Sequence, residues 1–185
     1  MRLTEQKKAS LGVVSQGVKV TNFDLRRLMA EIAIDVGSMV QARQFYGDIS
    51  VSQDTPRHLS GDPAILKKIV LGLVNHSLSS LDVGGVTIRV APGGHDVEGG
   101  CVLNITVTDT SIGMLPEELD EIFIPSRQHG DYVDQREKKS ELFYVRELAR
   151  LLDGNLSVHS AFGWGTRYSL SVAMHGAAMH VSNWD

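Results

Sequence analysis

The sequence predicts an α+β fold, a two-layer sandwich in which a mixed, mainly antiparallel sheet is covered by helices on one face. The chain has 185 residues, of which 42% are hydrophobic and 22% charged, as expected for one globular domain. Apolar residues recur at helical spacing in some segments and alternate with polar residues in others. Because an alternating strand buries only one face, helices packed on that face complete the fold.

The helices are predicted from apolar spacing and from residues that begin or end a helix. Asn22 or Asp24 is a suitable cap for the first helix, and Pro63 stands just inside the start of the second. The pair at 153–154, Asp-Gly, closes the last helix. The predicted helices are 24–43, one that runs from Pro63 until the glycines at 84–85, a short one from Pro116, and 141–152.

The strands are predicted where apolar and polar residues alternate. Segments 86–90 and 102–108 alternate like the two strands of an antiparallel hairpin, joined by a Gly-rich loop at 92–100. Segments 156–160 and 166–172 form a second such pair around the turn at 162–165. A short strand is expected at Ile49 and Val51, and residues 18–21 alternate weakly.

Charge and composition disfavour several classes of function. The formal net charge is -4, whereas nucleic-acid-binding domains usually carry a clustered basic excess. No segment approaches the roughly 18 apolar residues of a membrane span, so no direct membrane contact is expected from this chain. Cys101 is the single cysteine, which fits a cytoplasmic location. We expect residues 1–22 to end an upstream connector, 23–173 to form the domain and 174–185 to be a linker.

Five local strings, in this order, resemble the ATP-binding catalytic domain of sensor histidine kinases. They are 23–25, 61–70 at the start of the asparagine-box helix, 109–114 at the D-x-G-x-G box, 122–125 at the phenylalanine box and 160–166 at the last glycine turn. That domain belongs to the GHKL superfamily with gyrase, Hsp90 and MutL. The resemblance implies a Bergerat-type fold, and Mg²⁺ with ATP as the cofactors of active members.

The asparagine box departs from the family pattern. The resemblance aligns His76 with the asparagine whose oxygen binds Mg²⁺, and Asn75 lies one residue, or about 100° of helix, away. Imidazole is a poor ligand for Mg²⁺, which takes hard oxygen ligands. Asn75 and His76 are therefore candidate cofactor-binding residues whose alternative interpretation is that of ordinary polar residues at a helix end.

The adenine end of the site is better preserved. The resemblance implies that Asp109 accepts the adenine amino hydrogen, that Gly113 lets the backbone pass close to the ligand, and that Thr166 helps to hold the adenine side. Ser111 replaces the first glycine of this box. An aspartate before Thr-Ser is also a common turn former, which is the alternative interpretation of Asp109.

The second glycine box is lost. Counting back from 153–154 aligns residues 137–142 with the family's G-T-G-L-G-L, and none of them is glycine. Glu137 and Glu141 bring negative charge towards the expected phosphates, although Lys138 and Lys139 offset it or hold phosphate in another way. The segment also reads as a plain charged helix start.

These departures predict a degenerate ATP-binding-like domain of a sensor or hybrid histidine kinase, or of a phosphotransfer protein, in phosphorelay signalling. Lost or weak ATP binding is expected, with no catalytic residue and no metal ligand. The alternatives are a divergent but active domain that uses ATP with Mg²⁺, and a docking module. The expected partners are a response regulator or receiver domain and the protein's own dimerisation helices, with a dimer in the full-length protein. The expected location is cytoplasmic, and the cytoplasmic part of a membrane-bound sensor is one form that this location takes.

Overall fold

The computed structural model describes residues 17–93, 100–124 and 136–176. The sequence-based predictions for the outer connectors, for most of the Gly-rich loop and for residues 125–135 lie outside this part of the chain. The elements in chain order are β1 Thr21–Asp24, α1 Leu25–Gln41, β2 Tyr46–Val51, β3 His58–Gly61, α2 Pro63–Leu78, β4 Gly85–Pro92, β5 Gly100–Asp109, α3 Pro116–Glu121, α4 Arg136–Leu151, β6 Asn155–Ala161 and β7 Gly165–Gly176.

The described strands form one mixed sheet in the order β1-β3-β7-β5-β4-β2, with β6 also paired to β7. Strands β2 and β4 are parallel. The other pairs, β1–β3, β3–β7, β4–β5, β5–β7 and β6–β7, are antiparallel. The predicted fold class, a mainly antiparallel sheet with helices, is confirmed.

The core lies between one face of the sheet and the helices. In β5 the buried residues Cys101, Leu103, Ile105 and Val107 alternate with half-buried ones, as expected for a strand that covers a core on one side. Helices α2 and α4 pack closely, because a Cβ added at Gly72 would lie 2.6 Å from Cγ2 of Val145. The middle parts of α2 and α4 therefore lie directly against each other, and this contact positions part of the site.

The starts of α1 and α2 are fixed by aspartate caps. The Oδ1 atom of Asp24 accepts hydrogen bonds from the backbone N–H groups at 26 and 27, and Oδ1 of Asp62 accepts those at 64 and 65. A hydrogen bond from Arg57 lowers the pKa of Asp24. Of the two candidate caps for α1, Asp24 is the one that the structure uses.

Several element boundaries differ from the predictions. Strand β3 was missed because it has four residues, and Leu59 alone among them is buried, so the alternation is too short to detect. Strand β1 lies over Thr21–Asp24 instead of 18–21. Helix α2 ends at Leu78, where Ser79 caps it, well before the glycines at 84–85. Helix α4 begins at Arg136, five residues before the predicted start at 141. The earlier start was missed because the polar first turn has no apolar residues at helical spacing.

Candidate functional site

A cluster of polar groups surrounds the carboxylate of Asp109 at the end of β5. We call Asp109, Ser111, Ser160 and Thr166 the aspartate cluster. The Asp109 side chain is 3% exposed, and its Oδ1 accepts hydrogen bonds from the Ser111 backbone N–H at 3.0 Å, the Ser111 hydroxyl at 2.6 Å and the Thr166 backbone N–H at 3.1 Å. Within the described parts of the chain, no group donates a hydrogen bond to Oδ2, which leaves that oxygen as an acceptor.

Strand register brings the members of this cluster together. Thr166 at the start of β7 pairs with Asp109 on β5 and with Ser160 on β6. The Ser160 hydroxyl donates to the Gly165 carbonyl at 2.9 Å, accepts from the Met114 N–H at 2.9 Å and shares a 2.9 Å hydrogen bond with the Thr166 hydroxyl. Ser160 therefore ties the loop after β5 to the hairpin of β6 and β7.

Two glycines permit this close packing of backbone. Gly113 has φ +77°, and a Cβ there would collide with the carbonyl group of Ala161. Gly165 has φ +85°, and a Cβ there would collide with the carbonyl group of Asp109. Both conformations strain any residue with a side chain, so the loop after β5 and the turn before β7 depend on glycine.

A second group of polar side chains lies where the last turn of α2 contacts α4. We call Asn75, His76 and Glu141 the helix junction. The Asn75 Nδ2 donates to Oε1 of Glu141 at 2.9 Å. His76 is 6% exposed, and its Nδ1 forms a 2.8 Å hydrogen bond with the hydroxyl of Tyr168 on β7. The two rings also meet edge to face, with centroids 5.8 Å apart.

Tyr168 connects the helix junction with the aspartate cluster. Its side chain is 1% exposed, and burial raises the pKa of its phenol strongly. The negative charge of Asp109 raises this pKa further, while a hydrogen bond with Thr166 opposes the rise. The phenol therefore stays protonated and uncharged at physiological pH, and it contacts His76 on one side and the aspartate cluster on the other.

The phenylalanine-box segment is held against α4 by one arginine. The Arg146 guanidinium donates to the Phe123 carbonyl at 3.1 Å and lies 4.7 Å from the centroid of that ring. It also lies 5.8 Å from the centroid of Phe143. Desolvation lowers the pKa of Arg146, and stacking on two aromatic rings partly compensates for the lost water.

The structure brings together three of the five predicted binding residues. Asp109, Gly113 and Thr166 meet around the aspartate cluster, as the resemblance implied. Asn75 and His76 instead make their hydrogen bonds with Glu141 and Tyr168. Ligand binding by these five residues stays a prediction.

Three contacts were not predicted: the role of Ser160, the buried tyrosine under His76, and the partner of Asn75. The register Ser160↔Thr166 across the predicted hairpin is the one signal that could have located Ser160. The other two contacts join residues 92 and 66 positions apart in the chain, so no local pattern reports them.

The residue aligned with the metal ligand, His76, does not provide an oxygen for magnesium. No group of three or more His, Cys, Asp or Glu side chains lies together in the part of the chain that the structure describes. Mg²⁺ prefers several oxygen ligands in octahedral geometry, whereas the position aligned with the metal ligand offers a buried imidazole bonded to a phenol. The backbone of residues 136–140 is helical, and their side chains lie outside the described part.

Comparison with known proteins identifies the family. The sequence profile of the histidine kinase-, DNA gyrase B-, and HSP90-like ATPases matches residues 61–176, which include the asparagine-box helix and all four residues of the aspartate cluster. The chain belongs to this ATPase family. The predicted resemblance is thereby confirmed, while degeneracy of its boxes is a separate question.

Curated relatives of this ATPase-family chain are histidine kinases. It is 26% identical over 166 residues to the sensor histidine kinase RcsC of Salmonella typhimurium, covering 89% of this chain and 17% of that protein. It is 34% identical over 123 residues to the histidine protein kinase DivJ of Caulobacter vibrioides, covering 65% of this chain and 20% of that protein. The chain thus spans a fifth or less of the length of these relatives.

Solved structures confirm the ATPase-like fold. Full-length ShkA, crystallised in complex with AMPPNP, superimposes with a TM-score of 0.73 at 20% identity, over 91% of this chain and 34% of ShkA. The Acinetobacter baumannii histidine kinase AdeS superimposes with a TM-score of 0.64 at 12% identity, over 91% of this chain and 74% of AdeS. Among the described helices, none combines the length and the apolar character of a bilayer span.

Proposed function

We propose that this chain is the ATP-binding-like domain of a sensor histidine kinase in which binding of ATP with Mg²⁺ is lost or weak. It acts in two-component signalling mainly through protein contacts. The observation that carries the proposal is the hydrogen bond between His76 and Tyr168. At the position that the resemblance assigns to the metal ligand, a buried imidazole bonded to a phenol stands in place of an amide oxygen, and imidazole is a poor ligand for Mg²⁺.

Two further departures support the same conclusion. Ser111 adds a hydroxyl where the family has glycine, and that hydroxyl donates to Asp109 and accepts from the Gly113 N–H at 3.2 Å. The segment aligned with the glycine-rich phosphate loop is helical from Arg136. In a helix that starts at Arg136 the backbone N–H groups of residues 140–142 are bonded to carbonyl groups one turn earlier, so only the first turn of the aligned segment keeps free N–H groups, in contrast to a glycine loop.

Isothermal titration of the chain with ATP and ADP, with and without Mg²⁺, tests this proposal. We expect a dissociation constant in the millimolar range or no measurable heat, because the metal and phosphate contacts are missing. A thermal melt run on the same sample shows that the protein is folded. Micromolar binding of ATP with Mg²⁺ would contradict the proposal.

A second candidate is a divergent domain that still binds ATP and supplies phosphoryl groups to an upstream histidine. The Oδ2 of Asp109, which accepts no hydrogen bond from the described residues, favours it, since a carboxylate oxygen is a strong acceptor for an amino hydrogen. The likeness to ShkA, whose structure contains AMPPNP, points the same way. This candidate predicts measurable affinity for ATP that Asp109→Asn removes, together with loss of signalling.

A third candidate is a docking module for a response regulator, a receiver domain or the protein's own dimerisation helices on the cytoplasmic side of a membrane, within a dimer. Exposed apolar side chains at the turn before β7 favour it: Trp164 is 88% exposed, and Phe162 and Ile112 are exposed beside it. The Gly163 N–H bonds to the Ile112 carbonyl, which holds this surface together. In this case Trp164→Ala abolishes signalling and Asp109→Asn leaves it unchanged.

A further inference from the structure

One end of the sheet carries a strip of exposed apolar side chains. In the described parts of the chain eleven large apolar side chains are exposed, and six of them lie at the end where β2, β4 and β7 begin and β5 and β6 end. We call these six the apolar strip: Tyr46, Val83, Ile112, Leu115, Phe162 and Trp164. Contiguous exposed apolar surface of this kind marks sites where soluble proteins contact other molecules.

Backbone hydrogen bonds join the neighbouring parts of the apolar strip. The Gly163 N–H donates to the Ile112 carbonyl. The glycine pair at 84–85 accepts two further bonds, at its second carbonyl from the Thr110 N–H at 3.2 Å and at its first from the Tyr46 N–H at 3.0 Å. Adjacent strands lie about 4.8 Å apart, so the four steps from β6 to β2 make the strip about 19 Å long. A helix of about 13 residues has this length.

The apolar strip is bordered by carboxylates. Five exposed acidic residues lie close to strip residues in the chain: Asp48, Asp82, Glu117, Glu118 and Asp120. None of them forms an ion pair with a lysine or arginine of the described ranges. Arg43 and Arg167 are exposed near the same end of the sheet, which leaves an excess of negative charge among the described residues there. Such a border is complementary to positive charge.

We propose that the apolar strip docks a positively charged amphipathic helix of a partner protein. Apolar residues three and four positions apart on one face of that helix cover the strip, and lysine or arginine residues beside this face meet the carboxylates. The proposal rests on the docking role considered under the proposed function and gives the chemistry of the partner.

The same border of carboxylates disfavours two other occupants. In an isologous contact a second copy of this chain brings identical carboxylates to the opposite side, and like charges repel. An anionic lipid surface is repelled by the same groups, since it attracts clusters of lysine and arginine. A basic helix is the occupant that gains from both the apolar strip and its border.

Trp164 is the expected anchor of the contact. Its side chain is the most exposed of the strip, at 88%, and its N–H donates to the Ala161 carbonyl at 2.9 Å, which closes the turn that presents it. Tryptophan is enriched among the few residues that dominate the energy of protein interfaces. Loss of this side chain should therefore weaken docking more than loss of an exposed apolar side chain elsewhere.

Fluorescence anisotropy with two labelled peptides tests the proposal. One probe is an amphipathic helix of about 14 residues made of leucine and lysine, and the other has every lysine replaced by glutamate. We expect the leucine–lysine peptide to bind the chain with a micromolar dissociation constant and the leucine–glutamate peptide to bind at least about tenfold more weakly. Equal affinities, or no binding of the leucine–lysine peptide, would overturn the proposal.

An apolar variant places the peptide on the strip. Trp164→Ala should weaken binding of the leucine–lysine peptide by about tenfold or more. The matched control is Ile34→Ala, which removes an exposed apolar side chain from α1 and should change the affinity by less than about twofold. If the two variants have the same effect, the peptide does not dock on the strip and the proposal is wrong.

A charge variant assigns the selectivity to the border of the strip. Glu117→Lys should weaken binding of the leucine–lysine peptide by about threefold or more and tighten that of the leucine–glutamate peptide. Asp54→Lys makes the same change of charge in the loop after β2, at the opposite end of the sheet, and should alter either affinity by less than about twofold. Equal shifts in both variants would mean that only the overall charge of the chain matters, which contradicts the proposal.

Sedimentation and nucleotide titration separate the remaining outcomes. The chain without peptide should sediment as a monomer, and a dimer that Trp164→Ala dissociates would make a second copy the occupant and overturn the proposal. If neither the leucine–lysine peptide nor ATP with Mg²⁺ binds, the docking proposal fails while the proposed loss of ATP binding stands. Micromolar binding of ATP with Mg²⁺ contradicts the proposed function, whatever the peptides do.

Discussion

The aspartate cluster and the helix junction both combine buried and half-buried polar side chains, but they are held together by different kinds of bonds. In the aspartate cluster most bonds involve backbone atoms, such as the N–H groups of Ser111 and Thr166 that donate to Asp109. In the helix junction side chains bond to side chains, Asn75 to Glu141 and His76 to Tyr168. The cluster is thus built into the strands, whereas the junction depends on how the helices pack.

This difference separates what is preserved in the site from what has changed. A bond to the backbone survives many substitutions nearby, because the strand register supplies the partner. A bond between two side chains disappears or takes a new partner when either residue changes. The aspartate cluster, which the resemblance assigns to adenine, and the helix junction, which it assigns to the metal, follow this division, and variants in each region measure how independent the two regions are.

The largest loss of stability is expected in Gly113→Ala. The positive φ of Gly113 and the collision with Ala161 should lower the free energy of unfolding by about 2 to 4 kcal/mol, as measured by urea denaturation. Gly37→Ala is the matched control. A Cβ at Gly37 in α1 meets no atom within 4 Å, and alanine should raise the free energy of unfolding by roughly 0.5 to 1 kcal/mol because it favours the helix. Equal effects of the two changes would show that the loop after β5 is not strained.

Tyr168→Phe removes the hydroxyl that connects the two regions. The His76 ring nitrogen then loses a buried partner, and we expect the free energy of unfolding to fall by about 1 to 3 kcal/mol. Tyr144→Phe, at a half-buried position on α4, should change it by less than about 0.5 kcal/mol. A similarly small effect of Tyr168→Phe would mean that the bond to His76 contributes no stability.

Ser160→Ala tests the aspartate cluster without straining the backbone. It leaves the Met114 N–H and the Gly165 carbonyl without their side-chain partner, which should lower the free energy of unfolding by about 1 to 2 kcal/mol. The control is Ser157→Ala on the same strand, with an expected change below about 0.5 kcal/mol. The same value for both serines would show that the hydrogen bonds of the Ser160 hydroxyl contribute no stability of their own.

The smallest effect on stability is expected in Glu141→Gln. The glutamine oxygen still accepts from Asn75 and the contact is half-buried, so the free energy of unfolding should change by less than about 0.5 kcal/mol. Its effect should add to that of Ser160→Ala if the helix junction and the aspartate cluster are independent. A coupling energy above about 0.5 kcal/mol in the double variant would show that the helix junction and the aspartate cluster stabilise each other.

The sequence predicted the elements with strong local patterns and missed those without them. Helix α1, with Asp24 as one of its two candidate caps, the Pro63 start of α2 and the strands β4 to β7 follow from spacing and capping residues. Strand β3 was missed because its four residues show no period, and its pairing partners β1 and β7 lie far apart in the chain. A strand this short is stabilised by its hydrogen bonds to the neighbouring strands β1 and β7 and not by a local sequence pattern.

The same contrast applies to the site. The sequence by itself determined the family, the fold class and the position of Asp109 before a tight turn, because strand periodicity and glycine spacing are local properties. Only the tertiary structure decided that Asn75 bonds to Glu141 and that His76 bonds to Tyr168. Those pairs meet because α2 packs against α4 and β7, and which side chains then find each other depends on distances that no sequence spacing encodes.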